Sequence, residues 1–331
     1  MFTKTIDLIS IGDITTDAFI RLKDASIHCR LDKQNCELCM PFKEKIPFEY
    51  VKVVRAVGNA GNAAVSASRL GLKSMLVSDI GDDENGKECL SELQRNKVVS
   101  RFITKHYDKA TNYHFVLWYE NDRTILVNHV DYDYKLPSMP QSKWVYLTSI
   151  GTYSSQYYAS IQNYLDKNPN IKLAFQPGTF QIKLGLDKMK YFYERSDVFV
   201  SNLEEAQRVL ITDSRDIKYL LKGLHSKGPK LVVITDGTNG AYMFDGDHFY
   251  KMPMYPNPKP AVERTGCGDA FASTFVAYLS MNMTPLECLI RAPINSMSVS
   301  QFIGSQEGLL EKDQIEWWLK QAPEDYRPQE I

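Results

Sequence analysis

The chain has no long apolar run. None of its 331 residues falls in a stretch approaching the roughly 18 consecutive apolar residues a membrane-spanning helix needs, so no membrane partner is expected. It also lacks an excess of charge of either sign. With 39 Lys and Arg against 40 Asp and Glu, no nucleic acid or other polyanion is implied as a partner. Cysteine is sparse, six in all, with no obvious disulfide framework, which points to a reducing cytoplasm. No internal repeat and no low-complexity tract occurs, so a solenoid or fibrous array is excluded. The start, Met1 to Asp7, carries Lys4 and Asp7 and does not read as a signal peptide. What remains is an ordinary globular balance, 44% hydrophobic and 24% charged.

The pattern along the chain alternates strand and helix. Leu8 to Ile11 is a short apolar strand closed by Gly12. Residues 62–70 carry Ala64, Ala67 and Leu70 on one helical face, and a strand follows at 74–78. A helix is expected near 86–96, and further apolar strands at 144–147, 173–175, 198–200 and 231–234. Near-continuous apolar strands separated by helices predict a parallel sheet covered on both faces. Two regions, 14–55 and 110–128, break the alternation; Tyr113, Phe115, Leu117 and Tyr119 repeat with period two. Thr284-Pro285-Leu286-Glu287 is a capping box that starts a last long helix, which Pro293 should interrupt or end. The polar tail after Pro323 is expected to be poorly ordered.

The most informative segment is Thr265-Gly266-Cys267-Gly268-Asp269. Phe271, Phe275 and Leu279 follow at helical spacing, so 268–281 reads as a helix with Asp269 in its first turn. A glycine-rich loop can turn several N–H groups toward one point, and a helix N-terminus adds positive potential there, a place for a phosphate. A carboxylate beside a phosphate suits a base aimed at an attacking hydroxyl. Capping chemistry alone is the competing explanation of such a loop.

This segment resembles the second signature of the PfkB, or ribokinase-like, family of sugar and nucleoside kinases. Here Glu263-Arg264 stands for the usual Asp-Thr and Cys267 for Ala. The resemblance runs over about 5–310. It implies an α/β, three-layer ribokinase-like sandwich with a mainly parallel central sheet and a small β-sheet lid. It implies a single kinase domain, 1–331, with the lid inserted as 14–55 and 110–128. The catalytic set it implies is Asp269 as base and Gly266, Cys267 and Gly268 as the anion loop. Asp17, after Asp13 beyond the first strand, matches the family aspartate that takes substrate hydroxyls; Gly58, Asn59 and Asn62 match the first signature. Asn202 and Glu205 match Asn-x-x-Glu, which positions Mg²⁺ largely through water; Thr235 and Gly237 match Thr-x-Gly near the triphosphate. Thr265 and Asn295 complete the expected nucleotide site. ATP and Mg²⁺ are the implied cofactors, with a monovalent cation as an optional third. A sugar or nucleoside is the implied acceptor, and a homodimer through the lid the implied assembly.

Several alternatives stay open. Asp13, Asp17, Asn62 and the Asn202–Glu205 pair are also ordinary turn or helix-cap residues. Gln176 stands where sugar kinases of the family carry the aspartate of Asp-Pro-Asn. His114, Trp118, Tyr119 and Arg123 in the lid fit either stacking on a base or packing in a small sheet. Cys29, Cys36 and Cys39, beside His28, form a C-x6-C-x2-C group that either binds a structural zinc or holds incidental thiols. A silent sugar- or nucleotide-binding protein on the same fold is a further reading. A dinucleotide dehydrogenase is weak, because the first strand ends Gly12-Asp13-Ile14 without Gly-x-Gly-x-x-Gly.

Overall fold

A computed structural model describes residues 5–29, 36–120, 122–151 and 154–331. The chain begins with β1 (Ile6–Ile11), β2 (Thr15–Leu22), β3 (Ser26–Cys29), β4 (Cys36–Cys39) and β5 (Phe48–Val57). Next come α1 (Asn59–Arg69), β6 (Ser74–Gly81), α2 (Glu84–Arg95), β7 (Val99–His106), β8 (Tyr113–Tyr119) and β9 (Asp122–Leu126). The middle holds β10 (Ser142–Leu147), α3 (Ser155–Lys167), β11 (Lys172–Phe175), α4 (Thr179–Arg195), β12 (Val198–Asn202), α5 (Leu203–Leu210), α6 (Ile217–His225) and β13 (Leu231–Thr235). Last are β14 (Ala241–Phe244), β15 (Phe249–Met252), α7 (Cys267–Ser280), α8 (Pro285–Val299), α9 (Lys312–Lys320) and β16 (Gln329–Glu330).

A ten-stranded sheet runs β16-β15-β14-β13-β12-β11-β10-β1-β6-β7. Every pairing from β7 to β13 is parallel, and β14 to β16 add an antiparallel edge. Side chains alternate across it. On β10, Val145 and Leu147 join one core with α3 to α6, whereas Trp144 and Tyr146 join the other with α1, α7 and α8. Burial on both faces is why these strands read as unbroken apolar runs. The three layers are helices, sheet and helices, as expected from the sequence.

The two irregular regions pair with each other. Strands β5-β2-β8-β9 form a separate four-stranded sheet, the lid, and β3 and β4 form a hairpin of their own. Asp17 on β2 sits opposite His114 on β8.

Four expectations need correction. Cys29 and Cys36 are joined in a disulfide, which removes two thiols from the proposed zinc set with Cys39. Among the described residues, no group of three or more His, Cys, Asp or Glu is arranged to hold a metal. That bridge also departs from the expectation of cysteines without a framework. Pro293 does not end α8, which continues through it to Val299. The tail is packed: Tyr326 is buried, its hydroxyl donates to the Ile290 carbonyl at 2.6 Å, and β16 extends the sheet. Among the described residues, no helix is long and apolar enough to cross a membrane.

Candidate active site

The parallel strands all end at one edge of the sheet, the edge where open α/β sheets bind ligands. Asp13 follows β1, Gln176 follows β11, Asn202 ends β12 and Thr235 ends β13. The N-terminus of α7 opens onto the same edge. Gly266 caps that helix at φ 82°, a left-handed conformation in which a side chain is strained, and a Cβ there would lie 2.2 Å from Ser305 Cβ. Cys267 N–H turns back to the Arg264 carbonyl at 3.3 Å, which leaves Gly268 and Asp269 as the forward-facing donors. In front of Gly268 nothing lies within 4 Å of a modest side chain's first atom, so the loop faces open space.

Asp269 is held from two sides. Asn62 Nδ2 donates to Oδ2 at 2.7 Å and Gln176 Nε2 to Oδ1 at 3.2 Å. Asn62 is itself fixed, since Ser305 Oγ and Gln306 Nε2 donate to its Oδ1 at 2.8 and 3.1 Å. The Tyr146 hydroxyl donates to Gln176 Oε1 and so orients that amide. Burial pushes the Asp269 carboxyl up, against the lowering effect of the two amides, and the charge of Asp17 adds to the rise. A partly buried carboxylate with raised proton affinity is a competent base.

The structure brings Asp17, Asn62 and Asp269 together, but it treats the other expected residues differently. Asp13 is buried with its oxygens already used: the Tyr134 hydroxyl lies 2.9 Å from both, and Gly151 N–H donates to Oδ2 at 2.6 Å. Burial pushes its carboxyl up to about 7. Gly58 precedes α1 at φ 91°, and Asn59 is the first residue of that helix. Asn202 and Glu205 make a reciprocal capping box, with Glu205 N–H to Asn202 Oδ1 at 2.8 Å and Asn202 N–H to Glu205 Oε2 at 2.9 Å. Burial, together with the charge of Asp269, raises the Glu205 carboxyl. Asn295 is a correction. It is fully buried, donating to Thr274 Oγ1 at 2.7 Å and accepting from Leu310 N–H at 2.9 Å. Its neighbours Pro293 and Ser296 line a cavity with Thr235, Gly237, Cys267 and Phe271 instead.

The substituted Glu263 has a definite use. Its buried Oε1 accepts from Thr265 N–H at 2.8 Å and from Thr265 Oγ1 at 2.5 Å, and it lies 3.2 Å from Arg123 Nε on β9. It thus ties the four-stranded sheet to the turn that leads into α7. Sequence reasoning placed Gln176 at the Asp-Pro-Asn position without a role toward Asp269, and gave no site role to Ser305, Gln306 or His129. Gln176 carried a signal, a polar residue directly after an apolar strand; Ser305 and Gln306 carried none.

A family model, described as pfkB family carbohydrate kinase, matches residues 39–311. The chain belongs to this family. It is a phosphotransferase that acts on a hydroxyl group of a sugar-like compound. It is similar to the ATP-dependent 6-phosphofructokinase of Thermoanaerobacterium thermosaccharolyticum, 23% identical over 240 residues, 69% of this chain and 73% of that protein. The fold resembles the Methanocaldococcus jannaschii nucleoside kinase, TM-score 0.75 at 15% identity, covering 96% of this chain and 99% of that one. It equally resembles Arabidopsis thaliana ribokinase complexed with ribose and ATP, TM-score 0.74 at 17% identity, covering 96% and 99%. Likeness at that identity speaks for the fold only.

Proposed function

We propose that this protein transfers the γ-phosphoryl group of ATP to a hydroxyl of a small sugar or nucleoside, with Asp269 as general base. The observation that carries the reading is the clamped Asp269 carboxylate, at the N-terminus of α7 and directly after the open Gly266–Gly268 loop. Asp269 takes the proton as the acceptor oxygen attacks phosphorus, and the loop N–H groups and helix terminus offset charge on the transferred group. Asp17 and Asn62 position the acceptor. The nucleotide lies along Thr235, Gly237 and Thr265, with its base toward Pro293 and Ser296. ATP in the names of relatives and neighbours supports the donor.

Glu205 fits a water-mediated Mg²⁺ site. Its Oε2 is used in the cap, and a cation near it would offset the charge of Asp269, which with burial raises the Glu205 carboxyl. Held near Asn202 and Glu205 through water, Mg²⁺ would supply positive charge to offset that of the phosphates. A monovalent cation is a further activator in this reading. The working unit is one domain, 1–331, in the cytoplasm, with 14–55 and 110–128 as its lid. Val51, Phe115 and Leu126 leave an apolar lid face 49%, 44% and 52% exposed, which favours pairing with a second copy. Light scattering of the eluting species tests the dimer.

The deciding experiment is ADP release from ATP and Mg²⁺ against sugars, sugar phosphates and nucleosides, with Asp269→Asn as control. Acceptor-dependent release that is lost in the variant is the expected result. Binding of acceptor and ATP without turnover would identify a silent binding protein.

A further inference from the structure

Strand β7 ends the ten-stranded sheet, and its outer edge is bare. It pairs only with β6, and among the described residues no other backbone group bonds residues 99–105. An edge strand leaves a row of N–H and C=O groups free to receive another strand. None of the residues of β7 is fully buried, whereas its neighbour β6 is buried throughout. Beside β7, against α2, runs a groove of about 840 Å³. Val99 and Ile103 on β7 and Leu90 on α2 give it an apolar lining, and all three are only half-buried.

Among the described residues, Lys87, Lys97, Arg101 and Lys105 line this groove, all exposed, and no acidic side chain does. The acids on α2 are paired: Glu88 with Arg55, and Glu92 with Arg95 at 3.0 Å. Lys87 lies 3.3 Å from Glu84 and Lys105 3.9 Å from Asp82, exposed contacts that hold a charge only weakly. Lys97 and Arg101 have no carboxylate partner among the described residues. Lys97 also adopts φ 58° directly after α2; its N–H reaches the Gln94 carbonyl at 2.9 Å, and Val98 N–H reaches that of Leu93 at 3.0 Å. That left-handed position after a helix normally belongs to glycine. A lysine there carries backbone strain that glycine would not, and it puts a cation on the groove. The open edge selects an extended segment, because a strand satisfies a row of backbone groups. The cations select its charge. A second copy pairing β7 to β7 would bring Arg101 and Lys105 against like charges, which is destabilising across strands. A nucleic acid would answer the charge but not the alternating backbone groups.

We propose that the outer edge of β7 and its groove against α2 dock an acidic, extended segment of a partner protein, added to the sheet as a further strand. This claim is independent of the kinase reading. Fluorescence anisotropy tests it, with the full chain and a labelled peptide of about twelve residues alternating glutamate with valine, long enough to span β7. The comparison probes are the same peptide N-methylated at its glutamates or at its valines, a lysine–valine peptide, and an oligothymidylate of equal length. The acidic peptide should bind, and more weakly as salt rises. One N-methylation pattern removes the donors that face β7 and should cost about tenfold or more; the other leaves them and should cost little. Arg101→Glu combined with Lys105→Glu should weaken the peptide by about tenfold or more. Lys97→Gly should weaken it by about threefold while the melting temperature stays or rises, because the turn relaxes. That second variant decides the matter should the charge reversal not fold. No binding of the acidic peptide, or equal affinity in the folded variants, overturns the proposal. So does indifference to both N-methylation patterns, which would mean that charge alone holds the peptide. Equal binding of the lysine–valine peptide overturns the charge selection, and tighter binding of the oligothymidylate overturns the proposal in favour of a nucleic-acid surface.

Discussion

Replacing Asp269 by Asn removes the proposed base while keeping the shape of the side chain. Two donors, Asn62 Nδ2 and Gln176 Nε2, face the two carboxylate oxygens at 2.7 and 3.2 Å. An asparagine can satisfy only one of them with its single oxygen. The shorter contact should win, so the new amide N–H₂ turns toward Gln176, whose own oxygen is held by Tyr146. One hydrogen bond is lost, about 1 kcal/mol. Against this, the variant no longer buries a carboxylate whose ionisation burial already disfavours. The two effects oppose each other, so the melting temperature should move by only a few degrees. Catalysis has no such compensation. Losing general-base assistance should lower kcat by about 10³, near 4 kcal/mol of barrier, with little change in either KM. The assay is coupled ADP release at saturating ATP and acceptor, beside calorimetric unfolding of the same preparation. A kcat within about tenfold of the parent in a folded variant would refute Asp269 as the base.

Asp13 and His129 should bend the pH dependence of stability in opposite directions. The Asp13 carboxyl is raised from 3.8 to about 7, so its destabilisation is absent at acid pH and grows as pH rises from about 4 to 7, reaching roughly 4 kcal/mol. The lowered His129 costs stability as pH falls from 6.5 toward 4. Urea unfolding of Asp13→Asn should gain stability relative to the parent as pH rises through that window, and a flat difference curve would contradict the raised carboxyl. Gly266→Ala should push Ser305 away and, through it, Asn62, with kcat/KM falling at least about 100-fold and stability by about 2 kcal/mol in the same unfolding assay. Near-parent values for both would mean that the loop tolerates the side chain. Arg123→Met cuts the tie from lid to Glu263, so acceptor-independent ATP hydrolysis should rise while acceptor turnover falls. An unchanged ratio of the two rates would show that this contact does not hold the lid.

Local chemistry was legible in the chain, because period and turn residues are local properties. Near-continuous apolar strands at 144–147, 198–200 and 231–234 announced a parallel sheet buried on both faces, and that is where β10, β12 and β13 lie. Glycines before an amphipathic run announced the N-terminus of α7 and put Asp269 in its first turn. Pro293 misled for the same reason. A proline weakens one turn of an isolated helix, but packing against α7 and the core carries α8 past it. The tail misled too, since its polarity hid one Tyr326 that anchors it.

What the sequence by itself determined is the order of elements, the doubly covered sheet and the loop that presents Asp269. Only the tertiary structure decided who holds that carboxylate. Asn62, Gln176 and Ser305 come from segments far apart in the chain, and no local pattern encodes a hydrogen bond between residues separated by 207 positions. Folding likewise withdrew Asn295 and Asp13 into internal hydrogen bonds and left Asp17, His114 and His129 with buried atoms that have no partner among the described residues. Which polar atoms remain unsatisfied is set by every neighbour that packs around them, and that sum exists only in the folded chain.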